Sequence, residues 1–176
     1  KAKAKQETAA ASDDNASDAQ SDSGADSVRE ARYINLPSSF TSPENFALQC
    51  MCEFNGISER EFLEHAHLTT KLECFQIGRC DLAANLQYFT GLTELIINNQ
   101  PEVCSLEGVE YCPQLERVWV IETGLDHVSH LGRCRRLKQL YLDSNHLRKI
   151  EGLEGLSRLE TLWLTNNQIS HVEGLH

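Results

Sequence analysis

Long hydrophobic runs are missing from this chain. Nowhere do roughly eighteen apolar residues follow one another, and no charged-then-apolar leader opens the sequence, so the expectation is a soluble chain of the cytoplasm rather than one in or across a membrane. Basic charge is also scarce. Against 26 acidic residues there are 16 Lys and Arg, a formal net charge of -10. A protein that neutralises phosphates needs a basic face, which sets nucleic acid and anionic membranes aside. The cluster Arg133, Arg135, Arg136 and Lys138 is too short to reverse that. The seven cysteines are odd in number and irregular in spacing, which fits reduced thiols better than a disulfide framework.

The first 31 residues lack almost every large apolar side chain. Val28 stands alone among Ala, Ser, Asp, Gln and Lys, too little to offset the entropy of ordering that stretch. Residues 1–41 are therefore expected to be a disordered acidic tail, 42–71 a helical cap, and 72–176 a repeat region. The chain opens on Lys1 and stops at His176 inside a repeating pattern, so it is expected to be a piece of something longer.

In the cap, Ser42 and Pro43 can start a first helix, with Phe46, Cys50, Met51 and Phe54 on one face and Gly56 stopping it. Ser58 followed by Glu61 is a capping box that opens a second helix carrying Phe62, Leu63 and Ala66.

The rest is periodic. Segments beginning at Leu72, Leu92, Leu115, Leu137 and Leu159 are offset by 20, 23, 22 and 22 residues, each with apolar residues at relative positions 0, 3 and 5. A second apolar set stands six and three residues before each new segment: Leu86 and Phe89, Val109 and Cys112, Leu131 and Cys134, Leu153 and Leu156. This pattern predicts an α/β leucine-rich-repeat solenoid, a parallel sheet on a concave face with turns or 3₁₀ segments behind it, capped by helices at its N-terminal end. Position 8 reads Cys80, Gln100, Thr123, Asn145 and Asn167. Asn there can bond the backbone of the adjoining turn.

The segments "LKQLYLDSNHLRKIEGLEGLSR" and "LETLWLTNNQISHVEGL" resemble the short repeats of a nuclear regulatory subunit of protein phosphatase 1, of a flagellar dynein light chain and of other cilium-associated proteins. Ile150 to Leu153, echoed at Val172 to Leu175 and loosely at Ser105 to Val109, carries most of that likeness. The stretches Leu48 to Ser58, Lys71 to Gly78 and Leu86 to Ile97 are similar to the N-terminal region of the leucine-rich repeat-containing protein nine family. The resemblance implies a cilium, flagellum or axoneme setting, with axonemal proteins or a phosphatase catalytic subunit as partners.

Residues at positions 2, 4, 6 and 7 are expected to face away from the core, onto the concave sheet surface. Position 4 reads Gln76, Ile96, Trp119, Tyr141 and Trp163, and position 6 reads Gly78, Asn98, Ile121, Asp143 and Thr165; Glu94, Arg117 and Glu122 flank the row. Three successive aromatics with acidic neighbours suit a protein-binding surface, although aromatics in a row also serve simply to stabilise a sheet by stacking. In the phosphatase-regulating relative matching aromatics and acids contact the partner, so the resemblance implies that role for Trp119, Tyr141 and Trp163.

No cofactor or metal is expected. Cys50 and Cys52 lie near His65 and His67, with Cys74 and Cys80 downstream, but Cys50-Met51-Cys52 is too tight for a zinc knuckle, and Cys112 and Cys134 take core positions. Ser129 between His127 and His130 falls on a return segment without an orienting acid or an oxyanion hole, and no enzyme activity is expected.

Overall fold

A computed structural model describes residues 45–77 and 81–170. Helix α1 spans Phe46–Phe54 and buries Leu48, Met51 and Cys52. Of the stripe expected from the sequence only Met51 is buried; Phe46 and Phe54 are 60% and 46% exposed. Both stripes satisfy a helical period, and a tether decides between them. The Asn55 side chain accepts the Glu73 N–H at 2.7 Å and donates to the Glu73 carbonyl at 2.7 Å, which fixes the rotation of α1 against the first strand. Ser42 and Pro43 lie outside the described residues.

Helix α2, Glu59–His65, opens on the expected capping box. Ser58 Oγ accepts the Glu61 N–H at 3.3 Å, and the Glu61 carboxylate accepts the Ser58 N–H at 2.9 Å. Phe62 is buried and meets Tyr88 edge-on at 5.4 Å and Phe89 at 5.8 Å. Ala66 is buried in the 3₁₀ turn Ala66–Leu68, whereas Leu63 points outward.

Five parallel strands follow in chain order: β1 Lys71–Phe75, β2 Glu94–Gln100, β3 Arg117–Thr123, β4 Gln139–Tyr141 and β5 Thr161–Trp163. Alternate residues are buried, as a half-buried strand requires; β3 runs exposed, buried, intermediate, buried from Arg117 to Val120. The register pairs Leu72 with Leu95, Leu95 with Val118, Val118 with Leu140 and Leu140 with Leu162.

That register corrects the first repeat. Leu72 stands at position 3, not 0, and Cys74 at position 5; the offsets become 23, 23, 22 and 22. The expected core fill Phe75 is 43% exposed and pairs with Asn98, a position-6 residue. Three apolar residues at the right intervals misled the alignment, because Thr69 takes the opening place that the other repeats give to Leu. Gly78 and Cys80 lie outside the described residues.

The strand exits confirm the correction. Gln76, Asn99, Glu122, Ser144 and Asn166 have φ of 48, 52, 55, 56 and 56°, the same left-handed step at position 7 of every repeat. A second left-handed site recurs on the return segments at Gly108, His130 and Gly152. A Cβ at Gly152 would stand 2.1 Å from the Val128 carbonyl oxygen, so glycine is needed there by close approach as well as by conformation.

The returns fill the core as the second apolar set predicts. Leu86, Phe89, Val109, Cys112, Leu131, Cys134 and Leu156 are buried, and Leu153 is half-buried. The first return holds the short helix α3, Leu82–Asn85, and a 3₁₀ turn; the second holds the 3₁₀ turn Val109–Tyr111. Cys112 Sγ lies 3.6 and 3.5 Å from the Leu86 and Phe89 carbonyl oxygens, and Cys134 Sγ lies 3.6 and 3.8 Å from those of Val109 and Cys112. Burial pushes the Cys112 thiol up to about 12 and the Cys134 thiol to about 11.

At position 8 the corrected register puts Ile77, not Cys80, in the first repeat, and in the last two repeats an Asn closes the turn. Asn145 donates to the carbonyls of Val120 and Leu142 at 2.7 and 2.9 Å, and its Oδ1 accepts the Thr123 N–H at 3.2 Å and the Thr123 hydroxyl at 2.5 Å. Asn167 repeats the donations one turn later, to Leu142 and Leu164, while its Oδ1 accepts the Leu147 N–H at 3.1 Å, two residues past the equivalent place.

Candidate aromatic row on the sheet face

The register sets Ile96, Trp119, Tyr141 and Trp163 side by side on consecutive strands, with Glu73 rather than Gln76 ahead of them. Neighbouring strands lie about 4.8 Å apart, within ring-stacking range. The Trp119 and Tyr141 rings stack at a centroid distance of 5.2 Å and an interplanar angle of 4°. Tyr141 meets Trp163 at 5.7 Å and 45°. Trp163 is 55% exposed, whereas Ile96, Trp119 and Tyr141 are half-buried.

The flanking residues divide into two groups. At position 2, Glu94 and Arg117 do not stand free beside the row: the Arg117 guanidinium donates to Glu94 Oε2 at 2.6 and 3.0 Å. Lys71 joins them, 2.6 Å from Glu73 and 3.5 Å from Glu94, and its ammonium is held above its usual pKa first by the hydrogen bond to Glu73. Two bases and two acids thus neutralise one another at that end.

At the other end the face keeps its acids. Ile121 and Asp143 are half-buried and Glu122 is exposed at the left-handed exit. Asp143 Oδ1 accepts the Thr165 N–H at 2.9 Å, which orients its carboxylate. The sheet face therefore carries an apolar ridge of Ile96, Trp119, Tyr141, Trp163 and Ile121, neutral on one flank and negative on the other. Phe75 belongs to the same face and was missed in the sequence; the equal 23-residue spacing from Leu72 to Leu95 and from Leu95 to Val118 was the signal for it.

The return segment gives its histidines acids that the sequence reading did not supply. His127 Nδ1 lies 2.5 Å from Asp126, and His130 Nδ1 lies 3.4 Å from Glu110. The contact with His127 holds the Asp126 carboxyl below its usual value. Ser129 Oγ, however, is buried without a hydrogen-bond partner, so neither imidazole is placed to take its proton. Among the described residues no group of three or more His, Cys, Asp or Glu is arranged to hold a metal ion, and no helix is long and apolar enough to cross a membrane.

Residues 135–175 match the family model for Leucine Rich repeats (2 copies). One solved structure, the functional domain of InlJ from Listeria monocytogenes, which includes a cysteine ladder, is similar over 66% of this chain and 25% of that one, with 18% sequence identity and a TM-score of 0.49. The chain thus spans about a quarter of that structure's length. With a parallel strand, a left-handed exit and a buried return recurring every 22 or 23 residues, this chain folds as a leucine-rich-repeat domain.

Proposed function

We propose that the chain is a non-catalytic binding module that holds a protein partner across the row Trp119, Tyr141 and Trp163. The observation that carries this reading is the row itself: rings in contact at 5.2 and 5.7 Å, ending on a Trp that is more than half exposed. Rigid aromatics present large contact area at little entropic cost, and they concentrate binding energy at interfaces. Ile96 and Ile121 widen the apolar strip, and Glu122 and Asp143 supply polar complementarity at its rim; Glu94 and Arg117 act as a fixed pair bordering it. Leucine-rich-repeat folds are typically interaction modules rather than catalysts.

The test is affinity and unfolding measured together. Trp163→Ala is expected to weaken partner binding by about 2 kcal/mol, a thirtyfold loss, with little change in the fold. If the row serves only stacking, the same change costs roughly 0.5–1.5 kcal/mol of stability per aromatic pair and leaves affinity untouched. Unchanged affinity in both Trp119→Ala and Trp163→Ala variants removes the row as the site.

The finer setting rests on the sequence resemblance alone: a scaffold of the cilium or flagellum, with axonemal partners. A pull-down from ciliated and from non-ciliated cells separates it from a regulatory subunit. Axonemal proteins recovered only from ciliated cells support the scaffold, whereas a phosphatase catalytic chain recovered from both supports regulation.

A further inference from the structure

A second surface lies on the turns that enter β4 and β5, away from the aromatic row. Arg133, Arg135 and Arg136 are all exposed on the first of these turns. The β4–β5 register sets Arg158, also exposed, at the place in the next repeat that Arg136 takes in its own. None of the four forms an ion pair among the described residues. Neighbouring Lys138 is engaged, its Nζ 2.8 Å from Glu116, and that contact lowers the Glu116 pKa.

The corresponding residues one repeat earlier are Tyr111, Pro113 and Gln114, so the positive charge is confined to two turns. Equivalent places in stacked repeats lie about 4.8 Å apart, and like charges set opposite one another are unfavourable. Among the described residues the nearest compensation is Glu116, whose carboxylate is hydrogen-bonded to Lys138 and also feels the Arg136 charge, so one acid is shared between two bases there. Guanidinium groups offer forked donors that match carboxylates two at a time, so together they form a receptor for several carboxylates in a short stretch.

We infer that Arg133, Arg135, Arg136 and Arg158 form a docking surface for an acidic protein segment, separate from the aromatic row. Carboxylates on an extended segment recur at about 7 Å on one side, a spacing that two adjacent arginine-bearing turns can meet. Nucleic acid fits less well. Long phosphate tracking needs more basic surface than four residues supply.

The experiment uses the full chain and three labelled probes at low salt: an oligoglutamate peptide, its oligoglutamine counterpart and a short DNA duplex. The expected result is that oligoglutamate binds at least about tenfold tighter than oligoglutamine, and that Arg135→Glu with Arg136→Glu abolishes this preference. An unchanged melting curve of that double variant assigns the loss to the surface rather than to the fold. Trp163→Ala is expected to leave oligoglutamate binding as it was. Equal binding of the two peptides overturns the inference, as does oligoglutamate binding that survives both charge reversals. Tighter binding of the duplex than of oligoglutamate also overturns it and assigns the patch to phosphate.

Discussion

The two middle strands β2 and β3 and the last two, β4 and β5, end in different ways. β2 and β3 each run seven residues and pair as far as position 8, where Gln100 and Thr123 are buried. β4 and β5 are three residues long. Beyond them three backbone bonds continue the pairing, Glu122 N–H to Asp143, Leu142 N–H to Trp163 and Ser144 N–H to Thr165, while the Asn145 and Asn167 side chains take up turn carbonyls. In β3, where position 8 is Thr123 rather than an amide, strand hydrogen bonds do part of what an amide side chain does in the regular repeats. The lesson is that a repeat close to consensus is not the one with the longest strand: Asn at position 8 lets the strand stop early, because the polar groups of the turn are satisfied without it.

The largest expected effect breaks both halves alike. Leu140→Ala, at a fully buried place in the centre of β4, should cost about 2–5 kcal/mol in denaturant unfolding, and a smaller loss would mean that the neighbouring repeats collapse into the space. Gly152→Ala comes next. Its new Cβ meets the Val128 oxygen at 2.1 Å on a backbone with φ of +72°, so a loss of about 2–4 kcal/mol is expected, seen as a lower unfolding midpoint. Asn145→Ala tests the comparison most directly, since it strands the Val120 and Leu142 carbonyls. About 2–3 kcal/mol should be lost, against about 1 for Thr123→Val; equal losses would show that the two kinds of turn are not distinct.

A smaller effect lies in pH. Unfolded thiols ionise near 9.0, whereas Cys112 and Cys134 keep their protons to about 12 and 11. Between those limits the unfolded chain releases protons that the folded chain retains, so stability should be level below pH 9 and fall above it. Melting temperatures from pH 7 to 10.5 check this, and the slope should shrink when both residues are replaced by Ala. The smallest expected effect is a gain. His130 occupies, at φ of +64°, the return site that Gly108 and Gly152 fill, so His130→Gly should stabilise by about 0.5 kcal/mol if its 3.4 Å contact with Glu110 contributes little.

Most of the fold was legible because burial repeats with the chain. The spacings from Leu92 to Leu159, the buried returns and the Ser58–Glu61 box all appear in the structure as the residues suggest. The aromatic row was legible for the same reason, since Trp119, Tyr141 and Trp163 share one position in three aligned repeats. The cap was read less well. A helix of nine residues admits two apolar stripes, and a long-range bond from Asn55 to Glu73 selects between them; no local pattern contains that bond. The first repeat was misaligned because Thr69 broke the opening motif just where Leu72 and Phe75 imitated it. The pairing of Glu94 with Arg117 joins residues 23 apart and emerges only once the strands are in register.

Asn55 also has a bearing on solubility. A sheet of parallel strands presents unpaired N–H and C=O groups along its first strand, an invitation to a foreign β-segment. By occupying both the N–H and the carbonyl of Glu73 midway along β1, one carboxamide acts as a plug in that rim, and a strand arriving from another molecule would have to displace it before it could zip past. Exchanging this residue for Leu would unblock the rim as well as release α1, so the damage should appear first as association between molecules at high concentration rather than as early melting.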